Sequence, residues 1–402
     1  MAAHRPALIF IFVTAVLDIM AMGIIIPVLP ALIEEFVGSN AEAGFWNGAL
    51  VALWAAMQFI FSPIIGSLSD RYGRRPVILI STAGLAADWV LMALAPNLWW
   101  LAVGRILGGI TSSSFTTVFA YMADITPPEQ RSRAYGLIGA AFSAGFVAGP
   151  LLGGVLGEWG PRVPFWAAAA LSAIAFFYGL FVLPESLPKE KRMAFSWARA
   201  NPFGSLRLLR SHPELSGLAV VNFLLYFAHH VFSAVFVLYA AARYGWGALE
   251  VGVLLALVGV LDMIVQGLLV GRVVKRIGDR AAMVVGLAGG AIGIACMGLA
   301  PTGWLFVAAM FPNAIWGLAM PTLQSLMTQR VSESEQGQLQ GANNSVASIA
   351  GVVSPLFFGW VYTLSAAELP GLSFLIAAGV LLSGAALGAF VARRAHAAEQ
   401  AA

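Results

Sequence analysis

Charged residues are scarce in this sequence. They make up 10% of its 402 residues, whereas hydrophobic residues make up 60% and the mean hydropathy is +0.85. Soluble domains carry about a quarter charged residues. A chain of this length and composition could not cover its apolar surface in water, so the sequence excludes a soluble globular domain and predicts an integral membrane protein.

Other signatures are missing as well. The single cysteine, Cys296, excludes an intramolecular disulfide and a cysteine-based metal cluster. Ten-residue segments of alternating hydrophobicity, which are typical of outer-membrane barrels, are absent. No phosphate-binding loop or nucleophile–base motif occurs, so we expect neither an enzyme nor a bound cofactor. The net charge of +3 is interpreted as a signal of membrane topology, with no nucleic-acid partner.

Hydrophobic stretches of about 20 residues, the length of a membrane-spanning helix, recur along the chain. The first contains Asp18 and continues through Pro27 without a small-residue cleavage site, so we interpret it as a retained helix rather than a signal peptide. We predict an all-α integral membrane protein with twelve transmembrane helices. Their expected bounds are 7–29, 45–67, 76–94, 98–120, 133–156, 164–183, 215–239, 249–271, 280–299, 304–327, 338–362 and 369–391.

A basic turn occurs twice. The first copy, GSLSDRYGRRP, begins at Gly66, and the second, GRVVKRIGDR, begins 205 residues later at Gly271. The same offset relates Pro150 to Pro355. This repeat predicts two pseudo-symmetric six-helix halves. The expected domains are an N-terminal half, a cytoplasmic central loop and a C-terminal half, at residues 1–183, 184–213 and 214–402.

Nearly all of the 22 lysines and arginines fall in loops on one side of the predicted bundle. The positive-inside rule assigns that side to the cytoplasm. We therefore predict a multi-pass protein of the inner (plasma) membrane with both termini cytoplasmic. We expect it to function as a monomer in the lipid bilayer.

Four ionisable side chains lie inside the predicted spans. Asp18, Asp88 and Asp262 lie near the midplane, and Arg105 lies in the fourth span. Such groups cost several kcal/mol unless they are paired or face water. A carboxyl group in a low-dielectric cavity can exchange a proton near neutral pH, and a nearby arginine favours its ionised form. Protonation would then compete with a cationic substrate; the alternative is that each acid only bonds a neighbouring helix.

Aromatic and amide side chains are expected to line a cavity beside these charges. His229 and His230 are adjacent, and successive helical residues point about 100° apart, so at most one of them is expected to face a ligand; the alternative is a histidine bonded between helices. A dedicated metal site is not expected, because no second histidine or carboxylate lies four residues away. The cavity candidates are Gln58, Phe115, His230, Trp316, Gln324 and Asn344.

Glycine and proline mark the fifth and eleventh spans. Glycines four residues apart let another helix approach closely, and proline bends a helix. Plain packing explains a stripe of small residues, whereas proline with glycines at equivalent places in both halves predicts a bend where the halves meet. The predicted hinge residues are Gly145, Gly149, Pro150, Gly154 and Pro355.

The first basic turn is also predicted to act as a gate. Its glycines permit tight packing and a sharp turn, and Asp70 can pair with nearby arginines and with the positive N-terminal end of a helix from the other half. A simple membrane anchor would explain the arginines but not Asp70. The second copy has Lys275 in its place, so the two turns are not equivalent. The gating candidates are Gly66, Asp70, Arg71, Gly73, Arg74 and Arg75.

These motifs resemble those of the major facilitator superfamily. The basic turn, the sequence GRILGG around Arg105 and the sequence GPLLGG from Gly149 carry the resemblance, the last being similar to the motif of drug:proton antiporters. Finer matches resemble the tetracycline efflux pumps. They are LDIMAMGIIIPVLP from Leu17, MQ from Met57, SDRYGRRP from Ser69, Asp88, RYGW from Arg243, PTLQ from Pro321 and QGQLQG from Gln336.

The resemblance implies roles for individual residues. Acids matching Asp18 and Asp88 serve substrate binding and proton coupling, Asp70 serves gating, and the arginine matching Arg105 is functionally important. Those pumps also carry an acid in the ninth span, where this chain has only Gly286–Gly290, and Asp262 stands where some relatives have a histidine. Either the acid has moved to a neighbouring span or the binding site differs.

We therefore expect a proton-coupled antiporter that exports a small amphipathic drug by alternating access. The expected substrate is a tetracycline as its divalent-metal chelate, with protons as the coupling ion and the metal carried with the substrate. The alternatives are an exporter or symporter of another drug, a sugar or a metabolite, and a non-transporting membrane sensor. The antiporter-like motif argues against a symporter, and three buried acids argue against a sensor.

Overall fold

The computed structural model describes residues 5–112, 115–126, 131–195, 197, 201, 206, 208–209, 213–332 and 335–401. Side chains are described for these residues except 5–10, 115, 131–138, 213, 337 and 392–401. In this part of the chain all regular secondary structure is helical, with no β-strand.

The chain forms two compact units. The first comprises Met1–Gly38, Leu53–Pro202 and Trp246–Ala256, and the second comprises Ser39–Ala52, Phe203–Gly245 and Leu257–Ala402. Each unit thus includes one short segment from the opposite half of the sequence. The division at residues 183 and 214 stays a prediction.

The helices have the following bounds. From the N-terminus they are α1 Arg5–Ile24, α2 Leu29–Val37, α3 Asn40–Tyr72, α4 Arg74–Ala93, α5 Leu98–Ser112, α6 Phe115–Ile125, α7 Arg131–Gly157 and α8 Val163–Val182. They continue with α9 Pro213–Val231, α10 Val237–Tyr244, α11 Ala248–Ile264, α12 Val270–Leu299, α13 Gly303–Ala314, α14 Ala319–Thr328, α15 Gln336–Ser365 and α16 Leu372–Ala401.

Ten stretches of the described chain are long and apolar enough to cross a membrane. One of them, Ala248–Leu299, has 52 residues, far more than the roughly 20 that a bilayer requires. Gly278 breaks it with a φ of 76°, which separates the predicted eighth and ninth spans. Helices α5 and α6 occupy the predicted fourth span. The prediction of an all-α membrane protein with twelve spans is confirmed.

The first helix ends before the predicted end of the first span. Helix α1 stops at Ile24, and a turn that contains Pro27 leads into α2. Proline has no N–H to continue a helix, which explains the break. Pro30, by contrast, lies in the first turn of α2, where an unpaired N–H would be tolerated in any case.

Buried apolar side chains hold the helices of the first unit together. Ile11 of α1, Ile78 of α4 and Tyr121 of α6 belong to one such cluster, each with at most 5% of its surface exposed. Leu183, which follows α8, completes it. The cluster fixes the ends of four helices beside the first basic turn.

Candidate substrate and proton site

Asp88 is buried between α4 and α5 in the first unit, with only 1% of its surface exposed. Two glycines of α5 make room for its carboxylate. A Cβ built on Gly104 would lie 2.8 Å from Oδ1, and one on Gly108 would lie 2.5 Å from Oδ2. Any larger side chain at either position would collide with the carboxylate, so these glycines determine where the acid sits.

Arg105 lies between those two glycines and is 7% exposed. Its charge acts on Asp88, yet Oδ1 of Asp88 and Nε and Nη2 of Arg105 make no hydrogen bond in the described structure. Buried polar groups without partners cost about 1–3 kcal/mol each, and more when charged. An acid and an arginine on neighbouring helices, each with open hydrogen-bonding positions, can accept a polar substrate or a proton.

Asp18 lies in the middle of α1 and also belongs to the first unit. Its Oδ1 is inaccessible and has no hydrogen-bond partner among the described residues. Neighbouring backbone on the same helix packs against α7, since a Cβ on Gly145 would lie 3.0 Å from the carbonyl oxygen of Val16. The first unit therefore holds two carboxylates with unused acceptor oxygens.

Asp262 has a different environment, in the second unit. It lies on α11, is exposed, and accepts a hydrogen bond of 2.7 Å from Nε2 of Gln266. A Cβ built on Gly317 would lie 3.1 Å from its Oδ1. Asp262 was predicted to lie near the midplane of its span. In the structure its carboxylate is accessible rather than buried.

The structure gives the two adjacent histidines different surroundings. Nδ1 of His230, the predicted cavity residue, lies 3.3 Å from Oγ of Ser233 on the same helical segment, and its role stays a prediction. His229 packs edge-on against Trp316, with ring centroids 5.5 Å apart. The spacing of residues along the sequence could not predict the contact between His229 and Trp316, because the two residues lie on different helical segments.

Other predicted cavity residues pair with amides or hydroxyls nearby. Gln58 donates to Oγ of Ser112 at 3.2 Å, and Gln324 donates to Oε1 of Gln340 at 2.7 Å. Asn344 is exposed on α15. The side chain of Phe115 lies outside the described residues, so its role stays a prediction.

The ninth span has no room for an acid where the resemblance led us to look for one. A Cβ on Gly286 would lie 2.7 Å from the backbone nitrogen of Ala319, and one on Gly290 would lie 2.8 Å from Cγ of Trp316. This face of α12 is therefore filled by the helical segment around Trp316.

The predicted hinge glycines of α7 pack against two other helices. On one side, a Cβ on Gly149 would lie 2.9 Å from Cα of Gly23 in α1. On another side, a Cβ on Gly154 would lie 3.2 Å from Cα of Gly252 in α11, and Gly252 also faces the carbonyl of Pro150. The structure shows close helix packing at these glycines, and the hinge role stays a prediction.

Close packing of the same kind occurs in the second unit, between α3 and α15. Gly48 of α3 faces the carbonyl of Pro355 in α15, and Gly44 and Gly359 pack against each other. Asn47 beside it donates to the carbonyl of Ala234 at 2.7 Å. Sequence reasoning found the proline and glycines of α15 but missed their partners on α3.

The first basic turn is a dense polar network. Arg74 is 9% exposed. Its Nη1 donates to Oδ1 of Asp70 and to Oγ of Ser69, both at 2.6 Å. Its Nε lies 3.2 Å from Oδ2 of Asp124. Gly73 has a φ of 106°, which requires glycine. The predicted pairing of Asp70 with a nearby arginine and the sharp turn at Gly73 are confirmed.

The remaining gating candidates are less enclosed. Arg71 is exposed and lies over the ring of Tyr72, 5.1 Å from its centroid. Gly66 lies inside α3, and the nearest described atom to a Cβ placed there is Oγ1 of Thr116, at 3.9 Å. The tight packing predicted at Gly66 is thus not found among the described residues.

The start of the central loop folds back onto this turn, a contact that the sequence did not predict. Glu185 accepts a hydrogen bond of 2.8 Å from the backbone N–H of Arg74 and lies 3.7 Å from Arg192. Met193 donates its N–H to the carbonyl of Asp70, and Arg75 donates to the carbonyl of Leu183.

The chain is similar to known proteins over nearly its whole length. A family model described as the Major Facilitator Superfamily matches residues 11–355 and 218–401. The chain is 38% identical over 376 residues to the tetracycline resistance protein, class C, of Escherichia coli, covering 94% of each. It is 36% identical over 374 residues to the class G protein of Vibrio anguillarum, covering 93% of this chain and 95% of that protein.

Two solved structures share the fold. The nucleoside transporter NupG superimposes with a TM-score of 0.79 at 13% identity, over 97% of this chain and 99% of that one. The human organic anion transporter MFSD10 gives a TM-score of 0.70 at 24% identity, over 96% of this chain and 100% of that one. At these identities the likeness concerns the fold alone.

Proposed function

Because the chain belongs to the major facilitator superfamily and is a multi-pass protein of the inner membrane, we propose that it exports an amphipathic drug in exchange for protons. The expected substrate is a tetracycline carried as its divalent-metal chelate. Two relatives that cover nearly the whole chain are tetracycline resistance proteins, which supports this substrate class.

The observation that carries the proposal is the environment of Asp88. A buried carboxylate with an unused oxygen lies beside a buried arginine with unused N–H groups. When a cation or a proton occupies the carboxylate, its charge is neutralised, and when it leaves, Arg105 stabilises the free carboxylate. Binding of one cation therefore weakens binding of the other, which is the requirement for antiport.

The proposed direction of transport depends on topology. We propose that both termini and both basic turns lie in the cytoplasm, following the distribution of lysine and arginine. The inward proton gradient across a plasma membrane would then drive the substrate outward through the monomer.

A second candidate is export of a different small molecule by the same scheme. The packed face of α12 at Gly286 and Gly290 favours it, because a substrate that needs an acid in that span could not bind here. A panel of drugs and metabolites tested in the same flux assay separates the two candidates.

The proposal is tested with purified protein in liposomes under an imposed pH gradient, with tetracycline and Mg²⁺ as the probe. Asp18→Asn and Asp88→Asn should each lower gradient-driven flux by about 5- to 150-fold, the range of a coupling free energy of 1–3 kcal/mol. Glu42→Gln, at an exposed carboxylate in the first turn of α3, serves as the control. Full gradient-driven flux in both Asp variants would refute the proposal.

A further inference from the structure

The membrane interior of the second unit contains few ionisable side chains. Apart from tyrosines and Cys296, the segments 215–242, 251–271, 281–299, 303–328, 336–365 and 372–391 carry only His229, His230 and Asp262. Helices α12 to α16 therefore bring no other acid or base toward these three residues within those segments. Within those segments, and apart from the tyrosines and Cys296, a bound proton has to be held by one of these three residues.

Two of the three meet at one short segment, Ile315–Leu318, which forms a 3₁₀-helix. The imidazole of His229 packs edge-on against Trp316, and the carboxylate of Asp262 lies against the adjacent Gly317. Both side chains are accessible, whereas Trp316 is 9% exposed. His229 and Asp262 thus contact adjacent residues of the same short segment.

The backbone is irregular on all three helices at this place. A π-helical turn, Phe232–Phe236, follows His229 closely, and another, Val265–Leu269, follows Asp262. Such π turns are rare and occur frequently at functional sites, since they redirect side chains at a cost in hydrogen bonding. Here they coincide with the 3₁₀ turn that carries Trp316, so the irregularity is concentrated around the two ionisable groups.

The partners of each group assign their roles. Asp262 already accepts a hydrogen bond from Gln266, which leaves acceptor positions free on its carboxylate. His230 is turned toward Ser233, whereas His229 has the aromatic contact with Trp316, the neighbour of the glycine that Asp262 contacts. The two histidines are therefore not equivalent, although they are adjacent in sequence.

We propose that His229 and Asp262 form one proton-binding pair in the second unit, with Trp316 as the residue that positions the imidazole. The proton binds to a ring nitrogen of His229, and the carboxylate stabilises the resulting imidazolium. On release the pair returns to a neutral imidazole and a carboxylate. Proton binding by the pair stands on its own; its use in export rests on the proposed function.

The first test measures proton binding directly, without any substrate. Purified wild type, His229→Gln and Asp262→Asn are moved from about pH 8 to about pH 5, the interval in which imidazoles titrate, and proton uptake is followed with a pH-sensitive dye. Wild type should take up about one proton per chain more than His229→Gln. Asp262→Asn should take up that proton only at lower pH, because the imidazolium loses its counter-charge.

The second test separates coupling from substrate binding. Liposomes with tetracycline and Mg²⁺ are assayed for gradient-driven uptake and for substrate exchange without a gradient. His229→Gln and Asp262→Asn should lower the ratio of driven uptake to exchange by about 5- to 150-fold, and the double variant should be no worse than either single variant. Glu368→Gln, at an exposed carboxylate in the loop between α15 and α16, should keep the wild-type ratio.

Identical proton-uptake curves for wild type and both single variants would overturn the pair, and so would an Asp262→Asn curve that matches wild type. Unchanged coupling ratios alongside altered proton uptake would show that the pair binds protons that export does not use. If wild type moves no tetracycline, the proposed function fails while the uptake curves still decide the pair.

Discussion

Asp88 depends on the two glycines that face it. Gly104 and Gly108 leave space for a carboxylate that has no hydrogen-bond donor on Oδ1. The depth of Asp88 and its nearness to an arginine were predictable, since charges in apolar spans are conspicuous. The glycines were not, because their role depends on which face of α5 meets α4.

This dependence predicts the effect of a single methyl group. Gly108→Ala would place a Cβ 2.5 Å from Oδ2 of Asp88, so the helices must separate or the carboxylate must move. Overpacking of this kind costs about 1–3 kcal/mol. We expect a lower Tm in detergent and reduced gradient-driven flux.

The control for that variant is Gly379→Ala. Gly379 is also helical, but a Cβ there meets nothing within 4 Å. Alanine favours a helix by about 1 kcal/mol over glycine, so Tm should hold or rise. If Gly108→Ala and Gly379→Ala lower Tm and gradient-driven flux by the same amount, crowding of Asp88 is not the cause of the decrease.

At the scale of elements, the two basic turns show what repeats in sequence can and cannot predict. The repeat located both turns correctly, and each has a glycine with positive φ, Gly73 and Gly278. Their networks differ. At the position equivalent to Arg74, the second turn has Asp279, which accepts hydrogen bonds from Ser325 and Gln329 rather than forming the ion pair of the first turn.

We expect the first basic turn to contribute more to the stability of the protein than the second. Arg74→Ala removes charge-assisted hydrogen bonds to Asp70 and Asp124, each of which is worth about 1.5–3 kcal/mol. The Tm should fall, and Arg74→Lys should restore it only in part, because an ammonium cannot reproduce the planar fork of a guanidinium.

Arg276→Ala tests the same change in the second turn, where the arginine is exposed. Its effect on Tm should be small, since surface charges contribute about 0–1 kcal/mol. Equal decreases in Tm for Arg74→Ala and Arg276→Ala would mean that the network around Arg74 does not stabilise the protein.

The central loop illustrates a limit of sequence reasoning at this scale. Hydropathy identified the polar stretch as a linker, but Glu185 binds the backbone of Arg74 more than a hundred positions earlier. Contacts of this kind leave no local pattern. The same holds for Gly48 and Gly252, which pack against the prolines of other helices.

For the whole molecule, hydrophobicity alone predicted the class of fold and the number of spans. It could not predict that each compact unit includes a segment from the other half, Ser39–Ala52 in one case and Trp246–Ala256 in the other. Those segments are held by close glycine contacts that hydropathy does not register. Added bulk at Gly48 or Gly252 should therefore disturb the packing of these segments.

The most direct measurement is tetracycline uptake into inverted membrane vesicles under an imposed proton gradient, with and without Mg²⁺, for wild type and Asp262→Asn. We predict gradient-driven, Mg²⁺-dependent uptake by wild type. We predict its loss in Asp262→Asn, because Asp262 is the one acid in the interior segments of the second unit. No uptake by wild-type protein that is shown to be folded would contradict these predictions.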